Sequence, residues 1–254
     1  IMSPKVNIII RTLNEEDWVK YCLVKVINQN YTNIQVTVVD SGSTDRTLDI
    51  VQNFDNVIVK SIQHYKPGYA LNEGVRAVDS DYFICLSAHC IPETLNWVQH
   101  YVDFMESNNE VAGAFGRQLP LSCTHADDAR DLLITFGDEF RVNQRDYFFH
   151  NANSIIRNSV WQELPFDEDV PHVEDRVWAK KVIASGLKTA YLPEAAVYHY
   201  HGLHQHGGLR SFRAVNVLSV MNSLEENLAP VKVYPLLAEH IKFPIVVIIP
   251  THID

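Results

Sequence analysis

Val36-Thr37-Val38-Val39-Asp40-Ser41-Gly42-Ser43-Thr44-Asp45 runs from a β-branched stretch straight into a carboxylate and a cluster of hydroxyls. The run predicts a buried strand with Asp40 at its carboxyl end, the edge at which open α/β sheets bind ligands. Arg11-Thr12-Leu13-Asn14-Glu15-Glu16, after the strand-like Val6 to Ile10, adds charged and backbone groups from a second strand end. Together the two ends suit a nucleoside. The plainer reading is a pair of helix N-caps, with Asn14 and Ser43 or Asp45 capping the helices that follow.

Three further groups could do chemistry. Ser87 and His89 follow the hydrophobic run Tyr82 to Leu86, so they lie just past a strand end on the same crevice. Glu174 and Asp175, in Pro171-His172-Val173-Glu174-Asp175-Arg176-Val177-Trp178, open a helix, where the dipole keeps carboxylates ionised and the amides lack partners. Helix capping is the plain alternative. Four of the 12 histidines fall between His199 and His206. His199 and His201 alternate on a strand end, so one face could bring both to a diphosphate or a metal, with Gly202, Gly207 and Gly208 forming a mobile lid. No cysteine lies near for a structural zinc site, and solvated surface histidines are the alternative. Arg210 and Arg213, one helical turn apart, suit the phosphate oxygens of a departing nucleotide.

The elements that must position these groups alternate. Strand patterns at Val6 to Ile10, Val36 to Val39, Val57 to Ile62 and Tyr82 to Leu86 are separated by helical patterns at Glu16 to Asn28, Thr47 to Phe54 and Gly68 to Val78. This rhythm predicts a parallel sheet with right-handed crossovers. A helix from Glu93 to Ser107 follows Pro92, with Leu95, Val98, Val102 and Met105 on its apolar face. The second half predicts a strand at Val111 to Arg117, a polar helix over Asp127 to Phe140, a strand at Ala152 to Ile156 and a helix from Asp175 to Ser185 closed by Gly186. Strands at Thr189 to Leu192 and Ala196 to His199 and a helix from Leu209 to Leu224 complete it. One domain over residues 1–225 is expected, with 226–254 as a C-terminal extension that reads as a linker and the start of a further unit.

With 254 residues, 46% of them hydrophobic, the chain is long enough for a large core. Its net charge of −10 argues against a nucleic-acid partner, because phosphate affinity needs clustered Lys and Arg. Cys22, Cys85, Cys90 and Cys123 form no CxxC pair, and buried reduced thiols point to the cytoplasm. No apolar run approaches the roughly 20 residues of a membrane span, so a place at the inner membrane face would be peripheral.

Taken together with Ala70-Leu71-Asn72-Glu73-Gly74, Phe115-Gly116-Arg117-Gln118-Leu119-Pro120 and Phe148-Phe149-His150-Asn151-Ala152-Asn153-Ser154-Ile155-Ile156-Arg157, these segments resemble the family-2 glycosyltransferases, in particular the bacterial rhamnosyltransferase-like branch that builds surface polysaccharides. The resemblance spans about residues 5 to 220. It implies an α/β protein of the A-type (GT-A) fold, a Rossmann-like, mixed and mostly parallel sheet flanked by helices. It also implies inverting transfer from a nucleotide-diphosphate sugar to a hydroxyl of a glycan or lipid-linked acceptor. On that basis Arg11, Glu15 and Asp40 would contact the nucleoside, Ser87 and His89 the diphosphate or metal with His201, Arg210 and Arg213 sharing that task, and Leu13, Ser43, Asn72 and Ala88 would also line the donor site. Asp175, beside Glu174, would be the general base. For Arg117, Gln118, Asn151 and Asn153 the choice is between hydrogen bonds to sugar hydroxyls and satisfied turn or strand-edge groups.

The chain departs from the family at Ser87 and His89, where Asp-x-Asp normally carries a divalent cation. Imidazole holds Mg²⁺ poorly and Mn²⁺ better, so metal dependence is in doubt; His89 and His199 are the candidate ligands. The family's Gln-x-x-Arg-Trp motif lacks its Gln and Trp here. Of the rivals, a nucleotidyltransferase would need a Gly-rich loop, and Arg11 to Glu16 holds no glycine. A catalytically silent sugar-nucleotide or glycan-binding module would explain the missing Asp-x-Asp but not the retained Glu174-Asp175 pair.

Overall fold

A computed structural model of the chain describes residues 3–143 and 145–200. Strands β1 (Val6–Thr12), β2 (Ile34–Asp40), β3 (Val57–Ser61) and β4 (Tyr82–Ser87) alternate with helices α1 (Val19–Ile27), α2 (Thr47–Val51) and α3 (Pro67–Arg76). Then come β5 (Cys90–Pro92), α4 (Trp97–Ser107), β6 (Val111–Leu119), α5 (Ala126–Thr135), β7 (Arg141–Asn143), β8 (Asn153–Arg157), α6 (Asn158–Glu163), α7 (Glu174–Ala184) and β9 (Lys188–His199). They form one sheet in the order β3-β2-β1-β4-β8-β6-β9-β5, with β7 also paired to β9. The first four strands are mutually parallel, β8 runs antiparallel between β4 and β6, and β9 returns parallel to β6. The helices lie on both faces of this mixed, mostly parallel sheet.

Strand periodicity sorts the core into two layers. Val6, Ile8 and Ile10 of β1 face Val19, Cys22, Leu23 and Val26 of α1 together with Trp97 and Val98 of α4. Ile9 faces the other way, with Ala70, Leu71 and Val75 of α3 and Trp178, Ala179 and Val182 of α7. Close packing of α3 on β1 requires a glycine, since a Cβ on Gly74 would run into the Ile9 side chain. Asn7, fully buried among these residues, is satisfied by the Gly74 carbonyl and the Thr37 hydroxyl.

Several boundaries differ from the sequence expectation. The helix expected from Glu16 begins at Val19, and the one expected from Glu93 begins at Trp97. The polar helix after Asp127 ends at Thr135, and Arg141–Asn143 forms an antiparallel strand against β9. The two strands expected over Thr189 to His199 are one, β9, with a register shift opposite β6 between Gly116 and Gln118. Gly186, at φ +87, closes α7 as expected, its amide bonded to the Ile183 carbonyl.

Candidate active site

The register places Thr12 beside Asp40 and Arg11 beside Ser87, so the carboxyl ends of β2, β1 and β4 form one contiguous edge. The loops leaving β1 and β2 are zipped together there. Asn14, at φ +55, donates its amide to Ser43 Oγ at 2.9 Å, and its Oδ1 accepts the Thr44 amide at 2.8 Å. The Glu15 amide reaches Thr47 Oγ1 at 2.7 Å, and Glu16 pairs with Arg46 at 3.0 Å. Asn14 and Ser43 therefore tie loop to loop. The residues at the N-cap positions of α1 and α2 are Trp18 and Arg46, neither with a side-chain cap.

Asp40 is the centre of this turn. Its Oδ1 accepts from the Thr12 and Ser43 hydroxyls at 3.1 and 2.5 Å, and its Oδ2 from the Gly42 and Ser43 amides, both at 3.0 Å. Four hydrogen bonds use the acceptor capacity of a carboxylate, and Asp40 is 1% exposed. It shapes the loop that faces the crevice, while Leu13 stands exposed and Ser43 half-buried on the rim.

On the other side, the N-terminus of α7 brings Glu174 and Asp175 to the same edge, directly after Val173 in a left-handed conformation at φ +55. Arg11 Nη1 meets Glu174 Oε1 at 3.1 Å, with both side chains almost out of solvent. The Asn151 amide donates to Asp175 Oδ2 at 3.1 Å and the Arg176 amide to Oδ1 at 2.8 Å, while Asn151 Nδ2 approaches Glu174 Oε1 at 3.4 Å. Asn151 is in turn held by Ser154 Oγ at 2.9 Å. Burial raises the affinity of both carboxyls for a proton. For Glu174 the neighbouring Asp175 adds to the effect and Arg11 opposes it; for Asp175 the Asn151 amide, Arg176 and Arg11 oppose it.

Between these walls lies a histidine cluster. His89 Nδ1 pairs with Glu15 Oε1 at 2.8 Å, and the His89 ring stacks on His199 with centroids 5.1 Å apart and planes 12° apart. His199 Nδ1 bonds Gln118 Oε1 at 2.5 Å, and Gln118 Nε2 bonds His150 Nδ1 at 3.0 Å. His89 and His199, expected as joint metal ligands, stack on one another here and make a poor ligand pair. A metal lies near the plane of each imidazole that binds it, and two nearly parallel stacked planes share no such point. Among the described residues no group of three or more His, Cys, Asp or Glu could hold a metal. Ser87, His89 and His199 do not fit a hard divalent cation.

Other expected contacts serve the framework. Asn72 donates to the Phe166 carbonyl and Glu168, and accepts from Trp161 Nε1 and the Phe166 amide. Asn153 is likewise saturated by the Arg117 and Ala195 carbonyls, Trp97 Nε1 and Tyr101. Neither retains a donor or acceptor for a ligand. Gln118 and Asn151, both 0% exposed, bond to imidazoles and carboxylates of the protein. Ala88 is buried with its amide on the Arg11 carbonyl, which removes it as a diphosphate contact. Arg117 and Ser87 remain half-buried at the crevice strands. His201, Arg210 and Arg213, and the extension 226–254, lie outside the described residues. Sequence reasoning passed over His150, although it stands inside a quoted segment one residue before Asn151.

A mixed sheet with a nucleotide-type edge on one half and a helix-borne carboxylate pair on the other defines the GT-A class of glycosyltransferase fold. The mannosyltransferase PcManGT from Pyrobaculum calidifontis, solved with GDP-Man and Mn²⁺, matches with a TM-score of 0.69 at 19% identity over 90% of this chain and 66% of that one. S. aureus TarS 1–349 in complex with UDP-GlcNAc matches with a TM-score of 0.64 at 16% identity over 86% of this chain and 67% of that one. The family model for glycosyl transferase family 2 matches residues 7–164, and the chain belongs to that family. Among its relatives, a dolichyl N-acetyl-alpha-D-glucosaminyl phosphate 3-beta-D-2,3-diacetamido-2,3-dideoxy-beta-D-glucuronosyltransferase of Methanococcus voltae is 33% identical over 77% of this chain. The O-antigen chain rhamnosyltransferase WbaN of Salmonella anatum is 30% identical over 66%. The chain spans 66% and 56% of the lengths of these two relatives.

Proposed function

We propose that the chain is an inverting glycosyltransferase that moves a sugar from a nucleotide-diphosphate sugar to a hydroxyl of a glycan or lipid-linked acceptor, in the synthesis of a bacterial surface polysaccharide. The observation that carries this reading is the half-buried Asp175, held by two backbone amides across the crevice from the nucleotide-type loops. Direct displacement needs such a group. The acceptor oxygen attacks the anomeric carbon from the face opposite the diphosphate, its proton passes to Asp175, and the bond to the diphosphate oxygen breaks as the new glycosidic bond forms. Arg11 holds Glu174 in place beside it and favours its charged form. Leu13, Ser43 and the loop ordered by Asp40 bound the nucleoside side, and Ser87 and His89 face the diphosphate.

The names of the relatives support the acceptor class: one acts on a dolichyl-linked sugar phosphate and another on an O-antigen chain. Among the described residues no helix is long and apolar enough to cross a membrane. A panel of UDP-, GDP- and dTDP-sugars, screened by thermal shift with and without Mn²⁺ and then by release of nucleoside diphosphate, tests the proposal. One class of donor should stabilise the protein and turn over. Absence of both effects with every donor refutes the reading.

A further inference from the structure

The histidine cluster fixes its own protons, and one backbone amide sets the whole chain of hydrogen bonds. The Ala152 N–H, which can only donate, points at His150 Nδ1 at 3.4 Å. Nδ1 must therefore be the bare nitrogen, and the proton of the neutral ring sits on Nε2. The Gln118 group 3.0 Å from the same Nδ1 must then be its NH₂, which turns Oε1 towards His199 and requires a proton on His199 Nδ1. The Ala152 amide gives the orientation of Gln118, and the shorter Gln118 bond, 3.0 Å against 3.4 Å, then holds the His150 ring in that tautomer.

His150 Nε2–H meets no hydrogen-bonding partner among the described residues, and the ring is only partly buried. It sits edge-on to Phe136 with centroids 5.6 Å apart, one residue before the Asn151 amide that holds Asp175. Burial, reinforced by the Arg176 and Arg11 charges, lowers its pKa to about 4. These effects, opposed by the Glu174 carboxylate, favour the neutral ring, which donates on one side only.

We propose that His150 is a substrate-binding residue whose Nε2–H donates to a sugar hydroxyl beside Asp175, and that Gln118 is the positioning residue that locks the imidazole in this tautomer. The substrate half rests on the glycosyl-transfer reading above; the tautomer half does not. The hydroxyl belongs either to the donor sugar or to the acceptor, and turnover separates the two: slow hydrolysis of the nucleotide sugar by water reports the donor, and transfer reports both.

The test joins a spectrum to two substitutions in the full chain. In ¹H–¹⁵N multiple-bond spectra of ¹⁵N-histidine-labelled protein, assigned by loss of the signal in His150→Gln, His150 should show a bare Nδ1 and a protonated Nε2 from pH 5.5 to 8. Gln118→Glu can only accept, so it should convert His150 to the Nδ1-protonated or doubly protonated form. His150→Gln keeps an N–H near the Nε2 position and should lose less kcat/KM than His150→Asn. His150→Asn keeps only the Nδ1-side acceptor and should lose roughly three- to tenfold in kcat/KM, the scale of one neutral hydrogen bond. A loss in both hydrolysis and transfer assigns the hydroxyl to the donor sugar, and a loss in transfer alone assigns it to the acceptor. An Nδ1-protonated His150 in the wild type overturns the proposal, as does equal impairment of the two His150 variants. The expected tautomer in a protein that turns over no nucleotide sugar overturns the activity reading and the substrate half with it.

Discussion

Replacing Arg11 by Met removes the partner of Glu174 while keeping much of the side-chain bulk, and the consequence can be bounded from the site itself. Both side chains are almost fully buried at 3.1 Å, and stripping one partner from such a pair costs about 3–5 kcal/mol. Glu174 has an escape, however: it can take up a proton. At about 1.36 kcal/mol per pH unit, protonating a glutamate of ordinary pKa near 4.3 costs about 3.7 kcal/mol at pH 7 and about 1 kcal/mol at pH 5. The destabilisation of Arg11→Met is therefore capped near 3–4 kcal/mol at pH 7 and should shrink to about 1 kcal/mol at pH 5. The direction follows from linkage. A carboxyl whose folded pKa is raised binds a proton more tightly folded than unfolded, so its cost grows as pH rises above the unfolded value and vanishes as pH falls below it. Glu174→Gln is the counterpart: it leaves a buried guanidinium that cannot neutralise, and its penalty should not shrink at pH 5. Urea denaturation of wild type and both variants at the two pH values measures this. An Arg11→Met penalty equal at pH 7 and pH 5, or below 1 kcal/mol at pH 7, would refute the argument.

Asp175→Asn should lower kcat by about 10²–10⁴ with donor affinity nearly unchanged, because the amide keeps the shape but cannot accept a proton; calorimetry and initial rates together check it, and a largely retained kcat removes Asp175 from the base role. Since burial raises the pKa of Asp175, the acid limb of kcat/KM should lie above the ordinary aspartate value of about 3.9, activity rising with pH through it; a limb at or below that value contradicts the assignment. Because Ser87, His89 and His199 fit a hard cation poorly, transfer should survive EDTA in part or respond to Mn²⁺ over Mg²⁺. Complete loss in EDTA with full rescue by Mg²⁺, in wild type and His89→Ala alike, would require an oxygen-only site elsewhere.

The parallel half was legible in the sequence because each strand is an apolar run with its own crossover helix, so pattern and packing agree over β1 to β4. The three-residue strands β5 and β7 were not, since their only definition is pairing with β9. Pro193 and Glu194 read as a break between two strands, yet β9 carries them as an irregularity against β6. At the site, charged residues at element ends were visible because spacing alone places them. The amides were misjudged for the opposite reason: Asn72 bonds across 89 to 96 residues of sequence and Asn153 across 36 to 56, and no local pattern tells a saturated amide from one turned to a ligand. His150 was hidden in the same way, because its Nδ1 bonds to Gln118, 32 residues upstream.

The two adjacent carboxylates also separate on structural grounds. Protonating Glu174 would dissolve its ion pair with Arg11 and weaken the Asn151 Nδ2 contact, inside a region where an unpaired guanidinium is costly. Protonating Asp175 loses no ion pair, since the groups that hold it are the backbone amides of Asn151 and Arg176. It is also the more exposed of the two, so an acceptor hydroxyl can approach it. A general base must be ionised before the reaction and able to carry a proton after it. For Glu174, Arg11 favours the charged form against burial, and that same contact makes carrying the proton expensive. In the proposed mechanism Asp175 fills both roles, and the neighbouring Glu174 carboxylate would strengthen its hold on the proton as the acceptor oxygen gives it up.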